Sequence, residues 1–140
     1  MNCALTGMRS IPLCMPYKKV SMDLSYNHIN NFRYSASGLK NVESLNLSHN
    51  EIERLSTAAV LNLTNIAELD LSYNKLTKLP TSILELQGAR INIVGNVFDC
   101  SNCEQVGVLQ HVEKSMSQPG TVACKNGVPS PVDRGSASGN

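Results

Sequence analysis

Tryptophan is absent from this 140-residue chain, which carries only two phenylalanines and four tyrosines. So few rings exclude the base-stacking platform of a protein that binds single-stranded nucleic acid. Charge is sparse and balanced, with 12 basic against 11 acidic residues and a net +1. That excludes the electrostatic footprint of a nucleic-acid or anionic-membrane binder. No apolar run approaches the ~20 residues of a membrane span, and residues 1–9 lack the apolar core of a signal peptide. There is no Gly-rich phosphate loop, Ser/His/Asp arrangement or metalloprotease helix. The expectation is therefore a protein without catalytic function and without a cofactor. Cysteine is missing from residues 15–99; the five present, Cys3, Cys14, Cys100, Cys103 and Cys124, lie at the two ends.

What the middle of the chain does contain is one phrase written four times. The copies are Met22-Asp-Leu24-Ser-Tyr-Asn27-His-Ile29, Leu45-Asn-Leu47-Ser-His-Asn50-Glu-Ile52, Leu69-Asp-Leu71-Ser-Tyr-Asn74-Lys-Leu76 and Ile91-Asn-Ile93-Val-Gly-Asn96-Val-Phe98. Their asparagines are 23, 24 and 22 residues apart. A fixed period in this range, on the pattern L-x-x-L-x-L-x-x-N-x-L, is the signature of the leucine-rich repeat. The spacing of the aliphatics also fits a strand and turn better than a 3.6-residue helical period. The expected fold is an α/β leucine-rich repeat solenoid, a right-handed horseshoe of about four repeats with a parallel concave sheet and end caps.

Within a repeat, residues two apart on a strand share a face. Leu45 and Leu47 thus point inward, and Asn46 and Ser48 outward. Asn27, Asn50, Asn74 and Asn96 fall where the chain leaves the strand. Their amides both donate and accept, so stacking predicts a buried asparagine ladder serving the backbone of the turns. Facing solvent on the concave side are expected to be Val20, Ser21, Asp23, Ser25 and Tyr26; Glu43, Ser44, Asn46, Ser48 and His49; Ala67, Glu68, Asp70, Ser72 and Tyr73; and Arg90, Asn92 and Val94. Two columns result: Asp23, Asn46, Asp70 and Asn92, and beside them Tyr26, His49 and Tyr73. Acidic groups next to aromatic rings suit a basic or polar protein surface. The candidate partner-binding residues are these two columns with Glu68 and Arg90.

The ends resemble the caps of extracellular leucine-rich repeat proteins. Cys3 to Pro12, with its Gly7 and Ile11-Pro12, is similar to the closing part of the cysteine-rich N-terminal cap, and Gly95-Asn96-Val-Phe98-Asp-Cys100 with Cys103 and Cys124 resembles the opening of the C-terminal cap. In that family the first and third C-terminal cap cysteines pair, which implies Cys100 with Cys124 and leaves Cys103 without a mate; a Cys3–Cys14 pair is a further possibility. Both caps are shorter in cysteine than the family's, which implies either a segment of a longer ectodomain or a truncated gene model. Between the cap cysteines, Val106, Leu109, Val112 and Met116 mark one apolar helix face. The expected organisation is an N-terminal cap over 1–18, repeats over 19–98, a C-terminal cap with a short helix over 99–126 and a Gly/Ser/Pro tail over 127–140.

Cys100, Cys103, His111 and Cys124 also have the ligand types of a zinc site, but no second short-spaced pair supports it, and a disulfide cap is the preferred reading. Asn46-Leu-Ser48 and Asn62-Leu-Thr64 match the N-glycosylation acceptor pattern. The family resemblance implies protein recognition by a secreted or cell-surface receptor or adhesion ectodomain, with a protein ligand or co-receptor as partner. The alternatives are a targeting segment of a larger enzyme, of the receptor kinase or extracellular peroxidase kind, and a cytoplasmic repeat scaffold.

Overall fold

A computed structural model describes Gly7 and residues 20–30, 37–116 and 122–124. The expected N-terminal cap (apart from Gly7), the Cys3–Cys14 pair and the tail from 127 lie outside the described residues. Four strands, β1 (Val20–Asp23), β2 (Val42–Asn46), β3 (Glu68–Asp70) and β4 (Arg90–Asn92), form one parallel sheet in the order of the sequence. Met22, Leu45, Leu69 and Ile91 stand in register across it. One irregularity interrupts the first pair: Val20 lies opposite Val42 and Ser21 opposite Ser44, so Glu43 is an extra residue and the register shifts.

The core is built on three stacks of apolar side chains, one per repeat position. Met22, Leu45, Leu69 and Ile91 form the first; Leu24, Leu47, Leu71 and Ile93 the second; Ile29, Ile52, Leu76 and Phe98 the third, and all twelve are buried. No single repeat encloses these groups. Each is covered by its equivalents above and below, which is why stability resides in the stacking. Burying each side chain contributes roughly 1.5–3 kcal/mol before the entropy of ordering is charged.

The return arms close the core from the other side and differ in form because their sequences do. Between β2 and β3 the arm is a single helical turn, α1 (Thr57–Leu61). It starts because the Ser56 side chain accepts the Ala59 N–H at 3.0 Å, capping an otherwise orphaned donor. Ala59, Val60 and Leu63 supply the buried face. Between β3 and β4, Pro80 precedes a 3₁₀ turn over Thr81–Glu85 that has no side-chain cap and buries Ile83. Between β1 and β2 the described part is a 3₁₀ turn over Ser37–Asn41, with Leu39 buried.

At the C-terminal end the exposed edge of the solenoid is sealed. A strand β5 (Val97–Phe98) pairs in parallel with β6 (Ala123–Cys124), and a disulfide joins Cys100 to Cys124 across a Cα separation of 5.6 Å. Between them the helix α2 (Cys103–Glu113), N-capped by Asn102, lays Val108, Leu109 and Val112 on the last repeat. Val106 and Met116 are only partly buried, and Val108, outside the expected three-and-four spacing, is fully packed. The helix also satisfies backbone. The Gln105 side chain accepts the Leu79 N–H at 2.6 Å and donates to the Leu79 carbonyl at 3.0 Å. Ser115 Oγ accepts the Ile91 N–H at 3.3 Å and donates to the Val112 carbonyl at 2.7 Å. Two polar side chains thus stand in for the repeat that would otherwise continue the array.

Candidate protein-recognition face

The concave face is shaped by what happens one residue after each strand. Asp23, Asn46 and Asp70 occupy one register row. The Oδ1 of each accepts two hydrogen bonds from the serine two residues on, from the backbone N–H at 2.9–3.0 Å and from the hydroxyl at 2.6 Å. These are Asx turns, in which a short polar side chain replaces a backbone partner. Asn92 makes the backbone half of the same arrangement with Val94, at 3.0 Å. The expectation that Ser25, Ser48 and Ser72 face solvent is corrected here: they are 5, 6 and 5% exposed. Their hydroxyls turn back onto the Asx carboxylate or amide, so alternation along the strand ends one residue earlier than period-two reasoning assumes.

After the serine the backbone enters the left-handed region, at φ 56° for Tyr26 and 55° for both His49 and Tyr73. For a residue with a Cβ this costs roughly 1–2 kcal/mol. The three rings offset part of that cost by stacking. Tyr26 and His49 have centroids 4.2 Å apart and planes 6° from parallel; His49 and Tyr73 are 4.6 Å apart at 13°. Such pairs contribute about 0.5–1.5 kcal/mol beyond area burial. The fourth repeat has Gly95 at this position, at φ 78°, and a Cβ there would lie 2.5 Å from the Tyr73 ring. Gly95 therefore ends the column, and Tyr73 lies over its backbone. Both faces of the His49 ring are taken up within the stack, while Tyr26 and Tyr73 remain about half exposed.

Behind the two columns stands the asparagine ladder. Asn50 Nδ2 donates to the carbonyls of Leu24, Leu47 and Ser48 at 2.9, 3.1 and 3.2 Å, and its Oδ1 accepts the Ile29 N–H at 3.0 Å. Asn74 repeats this with Leu47, Leu71, Ser72 and Ile52. Asn96 reaches back to Leu71 and to the Leu76 N–H, while Asn27 donates to the Leu24 and Ser25 carbonyls. Each of the upper three therefore bonds the repeat before its own. These residues hold the face; they do not present it.

Of the remaining candidates, Glu68 and Arg90 are exposed and face each other across β3 and β4. Asp70, Asn46 and Asp23 are half-buried, and Asn92 is exposed. His28 is not on this face's columns; its Nδ1 lies 3.0 Å from Glu51, whose other oxygen is 4.0 Å from Lys75. Asn62 ends α1 and is half-buried, and Asn46 stands on the sheet with its Oδ1 tied to Ser48. Cys103 is exposed and unpaired, and the sulfurs of Cys100 and Cys124 are bonded to each other rather than arranged around His111. Sequence reasoning missed Gly95 as the end of the ring column and missed Ser115 and Met116 at the rim of the face. The first was legible, since Gly95 aligns with Tyr26, His49 and Tyr73; the second depends on how the cap folds over.

A strand, a turn and a return arm repeated on a period of 22 to 24 residues, with asparagine rungs, define a leucine-rich repeat solenoid, a protein-interaction module. The family model described as Leucine rich repeat matches residues 20–76 and again 41–97. This chain belongs to the leucine-rich repeat family. Comparison with curated proteins finds no match. Among solved structures, a chain in the structure of the Toll–Spatzle complex, described as a molecular hub in Drosophila development and innate immunity, is similar with a TM-score of 0.78. The identity is 22%, and the match covers 94% of this chain and 18% of that one. At that identity the likeness is one of fold. The chain spans less than a fifth of the neighbour's length.

Proposed function

We propose that this chain is a non-catalytic protein-recognition module of a secreted or cell-surface ectodomain, and that its concave face binds a protein ligand or co-receptor. The observation that carries this is the pair of ordered columns on that face: half-exposed, strained aromatic positions beside a row of acidic and amide side chains. Strain held at aligned positions is a mark of function when cheaper residues exist, and Gly95 shows that a cheaper residue fits there. Among the described concave positions Asp23, Glu43, Glu68 and Asp70 stand against Arg90, so this face favours a partner with a basic surface. The Cys100–Cys124 disulfide supports an oxidising compartment. The fold neighbour's own complex with Spatzle is consistent with protein ligands for such arrays. No helix among the described residues is long and apolar enough to cross a membrane.

In this reading residues 1–18 and 99–126 are the caps of the module, and 127–140 a tail. Asn62 is a glycan acceptor placed away from the binding face, whereas a glycan on Asn46 would obstruct it. The test is proximity labelling with the full chain made in an oxidising host, set against a variant carrying Asp23→Asn, Glu68→Gln and Tyr73→Gly. A partner labelled by the parent chain and lost from the variant, at unchanged melting temperature, supports the concave face. The same partners on both would remove it.

A further inference from the structure

The concave face is not uniform along the array. At its C-terminal end it deepens into a hollow of about 390 Å³. The floor is the backbone of β2, β3 and β4, and the far wall is the turn after α2, where Ser115 and Met116 rise over the open edge of β4. The wall is held in place rather than resting there: Ser115 Oγ is bonded both to the Ile91 N–H of β4 and to the Val112 carbonyl of α2. The sheet becomes a walled site where the C-terminal cap meets it. Its volume falls within the ~300–1,000 Å³ range of small ligand sites.

The chemistry of the lining is divided. Glu68 and Asp70 of β3 stand on one side and Arg90 of β4 on the other, with Val94 and Met116 giving an apolar rim. Glu68 is the direct register partner of Arg90, yet the two form no ion pair. The ion pairs among the described residues run from His28 through Glu51 to Lys75, on different positions of the repeat. Asp70 is fixed through its Oδ1, which Ser72 occupies twice, and its Oδ2 carries no hydrogen bond. The hollow therefore holds two acidic groups and one guanidinium, of which Asp70 is held in place by Ser72 and none is in an ion pair among the described residues. Low-dielectric walls around a cleft concentrate such fields.

We propose that this hollow seats an exposed lysine or arginine of a protein partner. Its cationic end lies between Glu68 and Asp70, its methylene stem runs along Val94 and Met116, and Arg90 takes a carboxylate from the same partner segment. Long basic side chains bury their stems on apolar surface while the head stays polar, and the thioether of methionine adapts to such stems. Glu68 and Asp70 are two residues apart on one strand, about 6.6 Å along it, and Arg90 lies about 4.8 Å across the sheet. An extended partner segment with a basic and an acidic side chain on one face matches that spacing. The proposal rests on the concave-face reading and assigns that face its anchoring subsite.

The probe is acetyl-Lys-Gly-Glu-amide, titrated into the full chain and followed by amide chemical shifts, with acetyl-Gln-Gly-Gln-amide as the neutral control. The expected result is saturable shifts at Glu68, Asp70, Arg90 and Met116 with the charged peptide and none with the neutral one. Changing Glu68→Gln with Asp70→Asn should weaken that binding roughly threefold to tenfold, the range for two solvent-accessible ion pairs. Met116→Ser should weaken it as well, with at most a small drop in melting temperature from the packing that Met116 gives up. Shifts spread over Glu51, Glu85 and Asp99, or binding indifferent to these variants, overturn the subsite. If proximity labelling is lost with Tyr73→Gly but survives Glu68→Gln with Asp70→Asn, the concave face stands and the subsite falls. If labelling ignores both, the broader reading falls too.

Discussion

Asn50 and Asn74 share an acceptor: both side-chain amides donate to the Leu47 carbonyl, at 3.1 and 2.9 Å. The same sharing occurs at Leu24, between Asn27 and Asn50, and at Leu71, between Asn74 and Asn96. The ladder is thus a chain of carbonyls, each holding an asparagine of its own repeat and one of the next. Replacing either Asn50 or Asn74 by alanine leaves Leu47 one donor, and replacing both leaves it neither. Each single variant should lose about 1–3 kcal/mol, since the freed Ile29 or Ile52 N–H is buried. The double variant should lose more than the sum, by roughly 0.5 kcal/mol or more. Urea midpoints at constant slope measure this, and strict additivity would refute the shared-acceptor account.

Asp70 has two roles that different substitutions separate. Its Oδ1 serves Ser72, and its charge faces the concave hollow. Asp70→Asn keeps the acceptor and removes the charge, and the chain already carries asparagine in that row at Asn46 and Asn92. That variant should melt within about 0.5 kcal/mol of the parent. Asp70→Ala should cost about 1–3 kcal/mol, because the Ser72 N–H and hydroxyl lose a partner in a buried setting. Thermal or urea denaturation of the pair distinguishes the turn from the charge.

At Tyr73 the backbone sits at φ 55° and the ring against His49 and Gly95. Tyr73→Ala loses the stack and keeps the strained backbone. Tyr73→Gly loses the stack and relieves the strain, so it should be more stable than the alanine variant by about 0.5–1 kcal/mol. In a right-handed helix or a strand the order would be the reverse. The complementary change, Gly95→Ala, should destabilise by about 1 kcal/mol or more, and it should displace the Tyr73 ring because the new Cβ meets it at 2.5 Å. Loss of the ring-current shift on His49 would report that displacement by NMR.

The Cys100–Cys124 bond closes a loop with a sequence separation of 24 and ties β6 to the edge of the array. Chain-entropy arguments put its contribution at about 3.5 kcal/mol. Replacing both cysteines by serine should lower stability by about that amount. The loss should fall first on α2 and Phe98, visible as faster amide exchange there than at β2. Peptide mapping after alkylation of the native protein should label Cys103 but not Cys100 or Cys124. Labelling of all three before reduction would contradict the bond.

The repeat register was readable because it is redundant. Four copies of a phrase align only one way, and the twelve apolar residues of that alignment are the three buried stacks. The ladder was readable for the same reason, since asparagine recurs where the turn strands backbone groups. The three serines were misread because alternation is a property of strands, and each strand yields to an Asx turn just before them. The helix face was only half readable: Val108 packs as tightly as Leu109, since the end of a solenoid offers a broad surface and not a groove.

By itself, then, the sequence determined the family of fold, the period, the rungs and the two columns of the concave face, because each follows from chemistry repeated at fixed spacing. Only the tertiary structure decided that the rings stack, that Gly95 ends the column and that Ser115 and Met116 wall off the last strands into a hollow. Those features arise where different repeats, or a repeat and its cap, come within a few ångströms. A spacing rule describes one element at a time and carries no record of what folds against it.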